Sequence, residues 1–98
     1  MAHFNLKNLA TDLPLPWRST IVGHAAGANV KVLRMDDAAY PNETHDFDEA
    51  LIVIDGQMHL QIDGELVIVC AGEMYLVPAN VPHAVAVGSH GILVIIDL

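Results

Sequence analysis

Most of the chain alternates between short apolar runs and isolated turn residues. Within residues 17–98, eight such runs follow one another: 21–22, 30–35, 50–54, 58–62, 66–70, 74–77, 84–87 and 92–96. Short runs rich in Val and Ile, separated by Gly, Pro, Asn and Asp, are typical of β-strands. The pattern predicts an all-β barrel or sandwich of eight to ten short strands.

The beginning of the chain has a different period. Three leucines stand at i, i+3 and i+7, on one face of a helix: Leu6, Leu9 and Leu13. Two prolines then end the helical pattern: Pro14 and Pro16. We therefore predict a short helix over residues 5–13, outside the barrel. This divides the chain into an N-terminal segment, 1–16, and a single barrel domain, 17–98.

Two Asp-Gly pairs separate predicted strands. Asp55-Gly56 and Asp63-Gly64 each lie between two apolar runs. Asp-Gly is a strong signal for a two-residue hairpin turn, because both central positions of that turn need a positive φ. The sequence therefore predicts a β-hairpin at each pair.

Some predicted strands are apolar at every position instead of at alternate ones. Residues 66–70 and 92–96 are the clearest cases. Both faces of such a strand must be covered, one by the barrel interior and the other by a second sheet or another subunit. Because the chain has only 98 residues and is 53% hydrophobic, we expect a homodimer in which part of these strands is buried.

Charge narrows the partner classes. Twelve acidic residues stand against four basic ones, for a formal net charge of −8, and the last basic residue is Arg34. This balance argues against a nucleic-acid binder.

No apolar stretch has the length of a membrane span or of a signal peptide's core, so we expect no membrane partner and a cytoplasmic location. Cys70 is alone, which leaves no intrachain disulfide, and we expect a buried, inert thiol.

The chemistry concentrates at four residues. Glu43 and His45 are two apart and would project from the same face of a strand, with Glu49 four residues further on. His83 follows a turn made rigid by two prolines. Two imidazoles and one or two carboxylates inside a barrel would form a first-row metal site with open positions. The alternative is that the glutamates are ordinary polar residues at the barrel mouth and the histidines are satisfied by hydrogen bonds.

The spacing of these residues resembles the first motif of the cupin family. That motif places a pair of histidines, a glutamate and a glycine at these intervals. Here Glu43 and His45 are followed after three residues by Glu49, and after six more by Gly56. Glu43 takes the place of the family's first histidine.

A second stretch resembles the second cupin motif. Gly72, Pro78, Asn80 and His83 stand at the intervals of that motif, with Asn80 in place of a glycine and Val87 in place of an asparagine. Asparagine tolerates a left-handed backbone better than most residues, so this replacement is the mildest. The resemblance covers about half of the chain, residues 39–87.

The cupin resemblance implies a double-stranded β-helix jelly roll that is commonly dimeric. It also implies a divalent transition metal, Fe, Mn, Zn or Ni, held by His45, Glu49 and His83. Glu43 leaves three possibilities open: a fourth ligand, a base beside a three-ligand metal, or no metal at all.

Two functions from different classes follow from the resemblance. One is a metal-dependent dioxygenase or isomerase acting on a small organic molecule, in which Glu43 or Glu49 moves a proton. The other is a non-catalytic module that binds a small ligand such as a sugar. A phosphorylated sugar or dicarboxylate would meet only the metal, the histidines, Lys31 or Arg34, so neutral, cationic or metal-chelating ligands fit better.

Overall fold

The computed structural model describes residues 2–98. One helix precedes eight strands: α1 (Leu6–Thr11), β1 (Thr20–Ala25), β2 (Ala28–Asp36), β3 (Tyr40–Glu43), β4 (Glu49–Ile62), β5 (Glu65–Cys70), β6 (Met74–Val77), β7 (His83–Val85) and β8 (His90–Asp97). No helix in this part of the chain is long and apolar enough to cross a membrane. The predicted all-β jelly roll with a short N-terminal helix is confirmed.

The strands form a curled antiparallel sheet whose central member is β4. The order is β1-β2-β8-β4-β7-β3, and β5 and β6 also pair with β4. The first part of β4 lies between β6 and β8, while its last part lies between β5 and β7. A single long strand therefore links the two halves of the barrel.

One of the two predicted hairpins is wrong. Asp55-Gly56 lies inside β4, where the pairing with β8 shifts register between Val53 and Asp55. Gly56 faces Gly91 there, and a Cβ added to Gly56 would lie 2.1 Å from the carbonyl oxygen of His90. Asp-Gly marks a β-bulge here, because a bulge needs the same positive φ as a tight turn.

The other hairpin is confirmed. Asp63 and Gly64 connect β4 to β5, next to the Ile62–Glu65 pair. Their φ angles are 50° and 77°, as a two-residue hairpin turn of the primed type requires.

The continuous apolar pattern of β8 is explained by two layers. Leu93 belongs to the barrel interior, while Ile92 and Val94 belong to a second apolar cluster that includes Ala10 and the leucines around α1. The N-terminal helix therefore covers this outer face. The helix itself is shorter than predicted, ending at Thr11.

Nothing in residues 2–98 covers the outward positions of β5 and β6. Leu66, Ile68, Met74 and Leu76 are all exposed. Cys70 is exposed as well, so the expectation of a buried thiol is wrong, because the residue faces outward on its strand.

Candidate metal centre

The four predicted residues come from three parts of the fold. Glu43 is the last residue of β3, Glu49 the first of β4, and His83 the first of β7. His45 lies in the loop between β3 and β4, and not on a strand as its spacing from Glu43 had suggested. Pairing of Glu43 with His83 across β3 and β7 brings the two sequence motifs side by side.

The side chains of these residues converge. Nε2 of His45 lies 3.4 Å from Oε2 of Glu43 and 3.7 Å from Oε2 of Glu49. Nε2 of His83 lies 3.3 Å from Oε1 of Glu49. Potential ligand atoms of Glu43, His45 and His83 all lie within 4.8 Å of one another. The structure thus brings together all four residues that the sequence singled out.

Both imidazoles carry a buried nitrogen without a hydrogen-bond partner. Among the described residues, Nε2 of His45 and Nε2 of His83 accept and donate no hydrogen bond, although carboxylate oxygens are near. Buried polar atoms without partners are rare in proteins, and each one calls for an explanation. Two of them directed into one cluster are the feature expected of metal-ligand atoms.

The tautomer of His83 is set by its surroundings. Its Nδ1 lies 3.0 Å from the carbonyl oxygen of Val81, and a carbonyl can only accept, so Nδ1 carries the proton. In the neutral ring the lone pair is then on Nε2, which faces the cluster. Metal-binding histidines are commonly oriented by a hydrogen bond of this kind.

The turn before His83 ties the two motifs together. Asn80 has a φ of 66°, so the left-handed backbone anticipated at this position is present. Its N–H donates to the carbonyl oxygen of His45 at 2.7 Å. His45 is also stacked on Phe47, with ring centroids 5.0 Å apart. The loop that carries His45 is therefore held by the same turn that positions His83.

Glu49 is the most deeply buried acid of the cluster. Its side chain is only 8% exposed. Burial raises the pKa of Glu49 above its ordinary value of 4.5; the nearby His45 and His83 oppose this rise, and Glu43 and Asp97 add to it. Among the described residues, no lysine or arginine forms an ion pair with Glu49, so a divalent cation would compensate this carboxylate.

A cavity of about 170 Å³ adjoins the cluster. Trp17 and Tyr40 both line it and stack on each other with ring centroids 5.7 Å apart. The remaining lining consists of seven polar or charged residues, Ser19, Lys31, Glu43, His45, Glu49, His83 and Asp97, and five apolar ones, Leu33, Leu51, Val85, Leu93 and Ile95.

Two further lining residues form an ion pair that the sequence did not predict: Asp97, and Lys31, which was considered only as a base that could meet an anionic ligand. Nζ of Lys31 lies 2.7 Å from Oδ2 of Asp97. Lys31 shares its strand face with Leu33, and Asp97 shares its face with Leu93 and Ile95. Their alternation with core residues was the available signal that they point inward.

The other histidines lie elsewhere. His24 on β1 and His90 on β8 are exposed. His59 on β4 has its Nε2 2.9 Å from Nε2 of Gln57. His3, near the start of the chain, is exposed too. These four histidines therefore stand apart from the cluster of Glu43, His45, Glu49 and His83.

Comparison with known proteins places this chain in a family. Over 53 residues the chain is 36% identical to quercetin 2,3-dioxygenase of Bacillus subtilis, a stretch that covers 53% of this chain and 16% of that protein. The chain therefore matches only a small part of this relative's length.

Solved structures extend the similarity to the whole barrel. A cupin-2 domain protein from Shewanella frigidimarina has a TM-score of 0.86 at 21% identity, covering 96% of this chain and 92% of that one. A Neisseria meningitidis protein has a TM-score of 0.85 at 26% identity, with 99% of both chains covered. The family model described as Cupin domain matches residues 32–98. This chain belongs to the cupin family.

Proposed function

We propose that the protein is a metal-dependent cupin enzyme acting on a small organic molecule by dioxygenation or isomerisation. In this proposal His45, His83 and Glu49 hold one divalent transition-metal ion. The observation that carries it is the pair of buried Nε2 atoms without partners, both close to Glu49.

The donor set suits such an ion. Two imidazoles and a carboxylate are the ligands used by non-haem Fe(II) proteins, and they also suit Mn, Ni and Zn. The ring orientation of His83, fixed by Val81, leaves the correct nitrogen free for the ion. A bound ion would supply Lewis acidity and open coordination positions for substrate or dioxygen.

Glu43 has a distinct position within the cluster. Its side chain is 39% exposed, against 8% for Glu49, and it lines the cavity. It is thus placed to act as a fourth ligand or to accept a proton from a molecule in the cavity. Glu49 is more buried and has an oxygen within 3.7 Å of each imidazole Nε2, which supports it as a ligand; the ligand atoms of Glu43, His45 and His83 lie within 4.8 Å of one another, which supports Glu43 as a further one. The similarity to quercetin 2,3-dioxygenase supports dioxygenation over isomerisation.

A non-catalytic module that binds a small ligand such as a sugar is the second candidate. The stacked pair of Trp17 and Tyr40 beside the cavity favours it, because aromatic faces give apolar contact to small ligands without any chemistry. Under this alternative a ligand would bind equally well after the metal is removed.

Metal analysis of the purified protein tests the proposal. We expect close to one equivalent of a first-row metal, its loss on dialysis against a chelator, and its return on titration with Mn²⁺, Fe²⁺, Ni²⁺ or Zn²⁺. Glu43→His should keep the fold and move the preference towards Zn, Ni or Cu, which favour imidazole. A wild-type protein that binds none of these ions would contradict the proposal.

A further inference from the structure

A single lysine lines the cavity beside the metal cluster. Lys31 lies on the inward face of β2, and its Nζ is 2.7 Å from Oδ2 of Asp97. The other oxygen of Asp97 accepts a hydrogen bond from Nδ2 of Asn29 at 3.1 Å. The side chains of Lys31 and Asp97 are 23% and 8% exposed, so the pair belongs to the barrel interior.

Stability alone does not account for this pair. Burying two charges costs desolvation, and apolar side chains of similar volume in their place are often neutral or stabilising. The neighbouring inward positions on the same strands are indeed apolar, with Leu33 on β2 and Leu93 and Ile95 on β8. The ion pair interrupts an apolar surface at the place where that surface meets the cavity.

Asp97 does not use all the hydrogen-bonding capacity of Lys31. An ammonium group has three N–H donors, and within residues 2–98 its one hydrogen-bond partner is Asp97. Arg34, the nearest base along the chain, serves elsewhere: its Nη1 donates to carbonyl oxygens of Ala10, Thr11 and Leu13 at the end of α1. Lys31 is therefore the one fixed positive charge among the residues that line the cavity.

We propose that Lys31, held in place by Asp97, receives the carboxylate of a short 2-hydroxy or 2-oxo acid whose neighbouring oxygen binds the metal. This proposal rests on the proposed function and specifies its substrate class. A carboxylate and an adjacent hydroxyl or carbonyl oxygen form a chelating pair, and the second carboxylate oxygen is left for an ammonium donor.

The charges of the cavity are compatible with a monoanion. Three carboxylates line it, those of Glu43, Glu49 and Asp97. Lys31 and a divalent ion would balance them to a formal sum of zero, so one added carboxylate meets little net repulsion. The cavity, about 170 Å³ in volume, is large enough for several water molecules and therefore for a two- or three-carbon acid.

Two matched ligands and two matched variants test the role of Lys31. Glycolate and glycolamide have the same size and both can chelate, but only glycolate carries a negative charge. The double variant Lys31→Met/Asp97→Asn removes the cation while keeping the net charge of the cavity. We would titrate each ligand into nickel-loaded protein by isothermal titration calorimetry, after measuring the nickel affinity of each variant.

The expected result is a weaker preference for glycolate over glycolamide when Lys31 is removed. Relative to the wild type, the ratio of glycolate to glycolamide affinity should fall about tenfold or more in the double variant, because a charge-assisted hydrogen bond is lost. In Asp97→Asn alone, Lys31 is released from its partner and the ratio should rise. An unchanged ratio in both variants would overturn the proposal. Asp97→Asn keeps the test decisive even where the double variant does not fold.

A surface ion pair provides the control. Lys7 and Asp55 are more than half exposed and 3.7 Å apart, outside the cavity. Lys7→Met/Asp55→Asn makes the same changes in charge, and Asp55→Asn alone matches Asp97→Asn. Both should leave the ratio as in the wild type; a ratio that moves equally with them would assign the effect to overall charge and overturn the role of Lys31.

The two proposals fail in different ways. Nickel that does not bind the wild type contradicts the metal centre, and the Lys31 proposal falls with it. Nickel that binds normally, with the same ligand preference in every variant, overturns the Lys31 proposal and leaves the metal centre in place.

Discussion

Two regions of the same barrel interior are built on opposite principles. Around Val53, Met58 and Leu60 the side chains are fully buried and apolar, so each contact contributes to folding. Around Glu49 and His83 the side chains are also buried but polar, and Nε2 of His83 has no hydrogen-bond partner within residues 2–98. The first region stabilises the fold, and the second places destabilising groups where a ligand can use them.

The largest loss of stability should come from a substitution where β4 and β8 approach each other most closely, at Gly56 and Gly91. Gly56→Ala would place a Cβ 2.1 Å from the backbone oxygen of His90, so a strand must move. We expect a loss of more than about 4 kcal/mol in the free energy of unfolding, measured by urea denaturation. Gly64→Ala is the control, because Gly64 shares the φ of 77° but has nothing within 4 Å of the added Cβ. It should lose only about 1–2 kcal/mol. Equal losses would contradict the steric explanation.

The two glycines, Gly56 and Gly64, also show which features of the fold could not be predicted from the sequence. Both follow an aspartate between apolar runs, and only Gly64 forms a hairpin turn. The Asp-Gly pair predicts a positive φ. Whether that φ belongs to a bulge or to a turn depends on which distant strand pairs with this segment. The series of apolar runs does not include strand β3, for a related reason: β3 includes Pro41 and polar residues, which an edge strand tolerates and a central one does not.

The four clustered residues were found from their residue types and spacing, and the same spacing resembles two motifs of a known family. Lys31 and Asp97 stand 66 residues apart, and nothing local in the sequence shows that β2 and β8 are neighbours. Such a pair becomes visible only when the order of the strands is known.

Core truncation should be the next largest effect. Met58 is fully buried, and Met58→Ala should cost about 2–5 kcal/mol of unfolding free energy by leaving a cavity. Met74, 53% exposed, is the control, and Met74→Ala should change stability by no more than about 0.5 kcal/mol. In the folded fraction of both variants, metal affinity should equal that of the wild type. A loss of metal with Met58→Ala would mean that the two regions are not separable.

Glu49→Gln, in contrast to the core substitutions, should raise the stability of the metal-free protein. The pKa of Glu49 is raised by burial, so the folded protein holds this proton above pH 4.5, where the unfolded chain has begun to lose it. Its contribution to stability is therefore full below pH 4.5 and is lost as the pH rises through the folded pKa. At neutral pH the metal-free variant should be more stable than the metal-free wild type, and it should bind metal far more weakly.

Thermal unfolding of the metal-free proteins between pH 4 and 8 would measure this difference. Glu65→Gln, a change at an exposed carboxylate on β5, is the control and should follow the wild-type curve. If Glu49→Gln lowers stability across the whole range, the carboxylate stabilises the metal-free fold, and the contrast between the two regions is wrong.

A third region, the exposed apolar surface of β5 and β6, is a candidate contact surface for a second copy of the chain. We expect a homodimer that buries Leu66, Ile68 and Leu76, which are 42–60% exposed in the single chain. Light scattering at micromolar concentration should give twice the mass of the chain. Leu66→Ser/Leu76→Ser should give the monomer mass with little change in metal content. A monomer in the wild type would contradict this prediction.

The most direct test of the central claim is the metal affinity of His83→Ala beside its control, His24→Ala. His83 contributes one of the two buried Nε2 atoms, and His24 is exposed on β1. By isothermal titration calorimetry, with circular dichroism to check the fold, His83→Ala should lose metal binding more severely than Glu43→Ala, because an imidazole anchor is gone. His24→Ala should bind as the wild type does. Equal binding by all four folded proteins, or by none of them, would contradict the metal centre.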